Sequence, residues 1–331
     1  MSGTLIITGA TGSLALEVVR QLRSSPYIVV GTVRKAKQIP QTPQLLQLDQ
    51  LKSQYTPGQL QTKEVDLNSL AEVRSFANSI ASQIESGDLP PLSAIICNAF
   101  TWSLDKQHFS EDGYESTFQV GHLAHFLLVL MLVQCMHESG RIVMLGSEVH
   151  NPEHHNALAE LGAQIPSDMN LLVKPALDDV GTEYDMGWRR YANCKLANVM
   201  FMRSLNQRLE KDPKLSKITV MAMDPGGIVD SRAHLVQRSS TRFMFGLIAI
   251  LMPLLRPFTS SVRLSSDSAR DLVTLAVDPE YHSSRGYFAG TKAIMAASVT
   301  ENEDAREGLW AACWKWAVIS GKETCIMKSL V

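Results

Sequence analysis

Tyr191 and Lys195 stand four residues apart in Tyr191-Ala192-Asn193-Cys194-Lys195, at the start of a predicted helix. That spacing puts both side chains on one helix face. A free tyrosine has a pKa of about 10, too high for a useful base near neutrality. A neighbouring ammonium favours the phenolate, and lowering a pKa by one corresponds to about 1.4 kcal/mol. The pair therefore has the makings of a proton-transfer device. Ser147 closes the strand-like run Arg141-Ile142-Val143-Met144-Leu145-Gly146-Ser147, where its hydroxyl is placed to polarise a substrate oxygen. A tyrosine and a lysine at this spacing occur by chance in many helices, so their meaning depends on their company.

The company begins near the N-terminus. An apolar strand leads into Thr8-Gly9-Ala10-Thr11-Gly12-Ser13-Leu14-Ala15 and then a helix. Glycines there let the backbone approach a pyrophosphate, and the helix N-terminus offers free N–H groups and a positive dipole end. Gly9, Thr11, Gly12, Ser13 and Leu14 are the expected contacts; an ordinary strand–helix turn is the plainer alternative. The second strand ends in Gly31-Thr32-Val33-Arg34-Lys35. An acidic residue there would take the ribose hydroxyls of NAD, whereas arginine suits a 2′-phosphate. Arg34 and Lys35 favour NADP(H) over NAD(H), against the alternative of solvated loop charges. With an oxidised nicotinamide nearby, a second positive charge favours the Tyr191 phenolate.

The elements that must position these groups alternate. Strands are predicted at Leu5–Thr8, Ile28–Val33, Lys63–Leu67, Ala94–Cys97, Arg141–Leu145 and Ile218–Met223. Helices are predicted through Glu17–Leu22, irregularly around Leu45–Tyr55, and over Leu70–Ile84 with Asn68 or Ser69 as cap. Further helices fall at Tyr114–Met136 and Trp188–Glu210. Repeated strand–helix–strand units argue for an α/β fold, a doubly wound parallel sheet of Rossmann type in three α/β/α layers. Its ligand crevice lies beyond the C-terminal strand ends. Because the glycine loop, Ser147 and Tyr191 must converge there, residues 1–331 read as a single domain. Residues 151–187 form an insertion, and 231–265 a substrate-covering lid.

Composition excludes other classes. The chain has 331 residues, 45% hydrophobic and 19% charged, enough apolar material for a large core. The formal charge is −2 and no long basic run occurs, so nucleic acid is not an expected partner. Cys97, Cys135, Cys194, Cys313 and Cys325 make an odd count without a C-x-x-C pair, so no disulfide framework or structural zinc is expected. No signal peptide pattern is seen, and a reduced, cytoplasmic setting is expected.

Taken together, these motifs resemble the short-chain dehydrogenase/reductase family over nearly all of residues 4–290. Asp66-Leu67 looks like its acidic adenine contact, Cys97-Asn98-Ala99 like its Asn-Ala-Gly segment, and Asp224-Pro225-Gly226-Gly227-Ile228 like its Pro-Gly turn beside the nicotinamide carboxamide. The retinol-dehydrogenase-like branch is similar in Asp112-Gly113-Tyr114-Glu115, in His122-Leu123-Ala124-His125-Phe126-Leu127-Leu128 and in Tyr191 to Asn198. The glycine loop resembles fungal secondary-metabolism members. The resemblance implies an NAD(P)(H)-dependent oxidoreductase acting on an alcohol or carbonyl. Tyr191 would be general acid/base, Lys195 would lower its pKa and hold the ribose, and Ser147 would orient the substrate oxygen. It also implies cofactor contacts at Asp66, Leu67, Asn98, Ala99, Pro225, Gly226 and Ile228. Three positions depart from the pattern: Gly121 replaces a relay asparagine, Phe100 a glycine, and Cys194 a serine.

Several features lie outside this pattern. His150, His154 and His155 read as a polar loop, with His150 near the pocket mouth, and no metal is expected because Pro152 spoils helical ligand spacing. Phe126–Val133 has no polar face, so it is buried by a partner subunit in a homodimer or by this chain itself. Phe243–Leu255 is shorter than the roughly 20 residues of a bilayer span, so no transmembrane span is expected. It reads as a lipophilic lid or a peripheral membrane contact. Trp310, Trp314 and Trp316 read as packing residues. The sequence thus points to a secondary alcohol or ketone of a bulky lipophilic small molecule, of terpenoid, steroid-like or polyketide type. A non-redox enzyme or isomerase on this fold, or a dinucleotide-sensing regulator, is the rival reading.

Overall fold

β-branched strands and amphipathic helices alternate as β1 (Thr4–Ile7), α1 (Ser13–Leu22), β2 (Ile28–Val33), α2 (Pro43–Lys52), β3 (Leu60–Glu64), α3 (Leu70–Glu85) and β4 (Leu92–Cys97). The chain continues through α4 (Ser116–Phe118), a π turn at Gln119–Leu123, α5 (Ala124–Leu132), β5 (Met136–Leu145), α6 (Asn170–Val173), α7 (Glu183–Lys211) and β6 (Thr219–Asp224). It ends with β7 (Gly227–Ile228), α8 (Ser239–Leu255), β8 (Val262–Arg263), α9 (Ser265–Val277), β9 (Gly286–Ala289), β10 (Lys292–Ile294) and α10 (Glu303–Trp316). The computed structural model describes residues 3–34, 42–156, 158, 160–256, 259 and 261–329.

The main sheet has the order β10-β9-β6-β5-β4-β1-β2-β3. Every neighbouring pair is parallel except β9–β10. The strand order reverses between β1 and β4, the switch point where such sheets bind ligands. Alternation along β1 divides the core: Leu5 and Ile7 join the cluster packed with α1 and α9, whereas Ile6 joins the one packed with α3, α5 and α7. This is a single α/β domain of Rossmann type.

Some boundaries differ from expectation. The third strand lies three residues earlier than predicted, because its pairing with β2 runs from Val29↔Leu60 to Val33↔Glu64. Val65 and Leu67, which drew the prediction, are buried as loop residues. The helix predicted at 114–136 is broken by the π turn at Gly121 and gives way to β5 at Met136. Helix α7 begins at Glu183 rather than near Trp188, with Glu183 and Asp185 favouring its first turn. Ser69 is the cap of α3, its side chain accepting from the Glu72 N–H.

Helix α5 is buried on every side by its own chain. Phe126 meets Phe201 at 5.1 Å and Trp310 at 5.0 Å between ring centroids. The C-terminal segment is clamped over it by Arg208, which pairs with Glu307 at 2.7 Å and lies 3.8 Å over the Trp310 ring. Trp310, Trp314 and Trp316 are accordingly core residues, all under 7% exposed. By length and composition Ser116–Cys135 is apolar enough to cross a membrane, yet 89% of that window is buried in the fold. It is the core helix.

Candidate active site

One cavity of about 1170 Å³ opens at the switch point. Its walls hold Gly9, Thr11, Gly12, Ser13, Leu14, Arg34, Asp66, Leu67, Asn98 and Ala99 on one side, and Ser147, Tyr191, Lys195, Pro225, Gly226 and Ile228 on the other. Every site residue expected from the sequence therefore meets in one place, except Lys35, which lies outside the described residues. The volume exceeds the roughly 300–1,000 Å³ of a drug-sized pocket, leaving room for a dinucleotide and a second molecule.

The dinucleotide end is built by close backbone approach. Gly9 has φ +69, and a Cβ there would lie 3.0 Å from that of Ala99. A Cβ on Gly31 would fall 2.7 Å from Ala10, so the second strand needs its glycine too. Gly12 caps α1 without any side-chain hydrogen bond, leaving the first N–H groups of that helix turned to the cavity loop. Such a cradle fits a pyrophosphate. Arg34 is exposed on the same wall.

Thr8 ties this loop to its neighbour. Its Oγ1 accepts from the N–H groups of Asn98 (3.0 Å) and Ala99 (2.9 Å). It also pairs with His125 Nε2 at 2.8 Å, while His125 Nδ1 lies 3.3 Å from the Gly121 carbonyl. A carbonyl only accepts, so Nδ1 carries the proton and the Thr8 hydroxyl donates to Nε2. Burial holds His125 neutral, its pKa pushed down to about 3. Arg232 completes the loop from the opposite wall: its N–H donates to Ser13 Oγ (3.2 Å) and its guanidinium to the Thr11 carbonyl. Neither contact was visible in the sequence, where the partners stand 117 and more than 200 positions apart.

At the other end, Lys195 is 3% exposed and donates to the Leu145 carbonyl at 2.9 Å, with Nζ 5.4 Å from the Tyr191 ring centre. Asn198 shares that acceptor: its Nδ2 donates to the carbonyls of Leu145 and Gly121, both at 3.1 Å. His122 Nδ1 donates to Asn198 Oδ1 at 2.8 Å, and burial pushes its pKa down to about 4. Burial also pushes the Tyr191 phenol up. Cys194 and Asp224 act in the same sense, and the Ser147 hydroxyl opposes them. Burial likewise disfavours the Lys195 ammonium.

Ser147 is braced by His150, which is 2% exposed rather than at the pocket mouth. His150 Nδ1 donates to the Ser147 carbonyl at 2.8 Å, and Nε2 accepts from the Ala297 N–H at 3.1 Å. No cluster of three or more His, Cys, Asp or Glu side chains gathers to hold a metal among the described residues. The three departures noted in the sequence form one cluster. A Cβ on Gly121 would lie 2.5 Å from Cys194 Sγ and 3.8 Å from Phe100 Cβ. The bare glycine makes room for the sulfur.

A Rossmann sheet with a glycine-loop cradle and a Ser–Tyr–Lys wall at its switch point defines a class of dinucleotide-dependent enzymes. The family model for short chain dehydrogenases matches residues 3–157, and that for the AcuH dehydrogenase domain matches residues 229–326. The short-chain dehydrogenase iccH of Talaromyces variabilis is 32% identical, with 83% of this chain and 84% of that protein covered. The human WW domain-containing oxidoreductase is 27% identical over 93% of this chain, which spans 66% of it. Mouse retinol dehydrogenase 14 is 26% identical, covering 93% and 83%. The chain belongs to the short-chain dehydrogenase/reductase family, NAD(P)-dependent oxidoreductases acting on CH–OH groups. Among solved structures, a blue fluorescent protein from a metagenomic library in complex with NADPH matches with TM-score 0.57 at 18% identity, covering 89% of this chain and 98% of that one. The angucycline C-6 ketoreductase LanV with bound NADP matches at 0.56 and 14%, covering 87% and 93%. These two matches bear on the fold.

Proposed function

We propose that this enzyme uses NADP(H) to interconvert a ketone or aldehyde and the corresponding alcohol on a bulky lipophilic molecule, of terpenoid, steroid-like or polyketide type. The observation that carries this reading is the meeting of Ser147, Tyr191 and Lys195 with the glycine loop and Arg34 around one cavity. When bound, the nicotinamide supplies or accepts the hydride. Gly9, Gly12 and Ser13 hold the pyrophosphate, and Arg232 adds a cation beside the loop. Arg34 takes the 2′-phosphate; Asp66 and Leu67 border the adenine. Asn98, Ala99, Pro225, Gly226 and Ile228 border the nicotinamide end.

Ser147 Oγ holds the substrate oxygen, and Tyr191 donates its phenolic proton to that oxygen as negative charge develops there. Lys195 stabilises the phenolate left behind, and its own position is set by the Leu145 carbonyl and Asn198. In the reverse direction the same phenolate takes the alcohol proton. General acid catalysis of this kind contributes about 10²–10⁴-fold.

Helix α8 supports the lipophilic part of the reading. Phe243, Leu247, Ile250 and Leu254 are 48–76% exposed at helical spacing, and Phe245 and Met252 of the same helix line the cavity. Arg238, Arg242 and Arg256 are the only charged residues from 238 to 256. Arg256 is paired with Asp267 and Arg238 lies 3.9 Å over the Tyr184 ring, so Arg242 is the cation that supports a peripheral contact of this apolar face with an anionic lipid surface. The cofactor assignment is tested by titrating NADPH and NADH into the protein. Arg34→Ala should weaken NADPH by about tenfold or more, as expected for a lost charge-assisted contact, and leave NADH nearly unchanged. Equal losses for both would overturn the assignment.

A further inference from the structure

The segment after β4 leaves the glycine loop as Phe100-Thr101-Trp102-Ser103-Leu104 and lies against the first turns of α7. Gly187 makes that approach feasible. A Cβ there would fall 2.4 Å from the Ser103 carbonyl oxygen and 3.1 Å from Leu104 Cα. With the loop pressed onto the helix, the Trp102 ring meets Trp188 at 4.9 Å and 86° and Tyr191 at 4.9 Å and 46°. Phe100 closes the row, 5.7 Å from Tyr191 and 6.5 Å from Trp102. All four rings line the cavity beside Ser147.

Phe100 is held in place from behind. Lys195 Nζ lies 5.4 Å from its ring centre, a cation–π contact, and Gly121 leaves the space under its Cβ clear. The ring nevertheless stays 38% exposed, and Trp102 and Tyr191 are half-buried. The wall thus shows aromatic surface to the cavity at the spot where the proton is delivered. Aliphatic pockets gain affinity from area alone, whereas ring–ring contacts add about 0.5–1.5 kcal/mol beyond area.

We propose that Phe100 and Trp102, with the buried Trp188 packed edge-on behind Trp102, form a stacking subsite that selects substrates whose reacting carbonyl is attached to a flat, conjugated ring. Within the lipophilic class this favours aryl and polycyclic aromatic ketones over saturated frameworks. The proposal rests on the carbonyl-reducing reading above, and Phe100 is its specificity-determining residue.

The test compares two ketones of equal carbon number, 1-tetralone with a fused aromatic ring and 1-decalone without one. Taking the ratio of variant to wild type for each ketone cancels their different intrinsic reactivities. Phe100→Leu and Trp102→Leu should lower kcat/KM for 1-tetralone about tenfold while 1-decalone changes less than about twofold. Phe100→Tyr should restore the wild-type ratio. Equal losses for the two ketones would overturn the subsite and leave the reductase reading standing. Binding is read separately, through quenching of tryptophan fluorescence by 1-tetralone with NADP⁺ present, in wild type and in Phe100→Leu. Binding that weakens in Phe100→Leu, with neither ketone reduced by any form, would uphold the subsite and refute the reductase reading. Binding unaffected by Phe100→Leu, or absent in wild type, would refute the subsite.

Discussion

Helices α5 (AHFLLVLML) and α8 (SSTRFMFGLIAILMPLL) are the most apolar of the helices longer than two turns among the described residues, yet their surroundings are opposite. All nine residues of α5 are buried, under β-sheet, α3, α7 and the C-terminal tryptophans. Of the seventeen residues of α8 only Met252 is buried. Apolar composition therefore builds the fold in one helix and is held at the surface in the other. A helix that contributes little to the core but keeps phenylalanine and isoleucine in water must be explained by what it touches outside the fold. The substrate entrance and a lipid surface fill that role in the function proposed for this enzyme.

Substitutions can break this contrast. Phe126→Ala in α5 should have the largest effect, removing a ring packed between Phe201 and Trp310, and should cost about 3–5 kcal/mol in urea unfolding. A loss below about 1 kcal/mol would mean that the tail does not cover α5 as described. In α8, Phe243→Ser, Ile250→Ser and Leu254→Ser should each change stability by no more than about 0.5 kcal/mol, since surface positions seldom do more. Combined in one triple variant, they should abolish flotation with anionic vesicles. A triple variant that floats like wild type would remove the lipid contact, and one that unfolds would show α8 to be a core helix after all.

The sequence shows local things well and distant things poorly. The glycine loop and Ser147 each sit within a few residues of a strand end, and Tyr191 with Lys195 share one face of α7 at a spacing of four, so local pattern located them; the Pro-Gly turn after β6 was marked by the family resemblance. The doubly wound parallel sheet followed from alternation, and its strand order came from the structure. Other features depend on contacts between distant parts of the chain. No pattern within either segment links Thr8 to His125, Arg232 to the glycine loop, or Gly121 to Cys194 and Phe100. The short β9–β10 hairpin lacks the apolar run that announces a strand, and Val65 and Leu67 mimic one while burying themselves as loop. Composition alone left open what covers α5 and what α8 faces, because it records what a helix is made of and not what packs against it.

The central claim is that Tyr191 is the proton donor in a nicotinamide-dependent carbonyl reduction, and it is tested most directly by Tyr191→Phe. NADPH affinity, read by fluorescence titration, should stay within about threefold of wild type. Ketone-dependent NADPH oxidation should fall by about 10²–10⁴-fold, the contribution of a positioned general acid. Turnover retained at the wild-type rate in a variant that still binds NADPH would contradict the account.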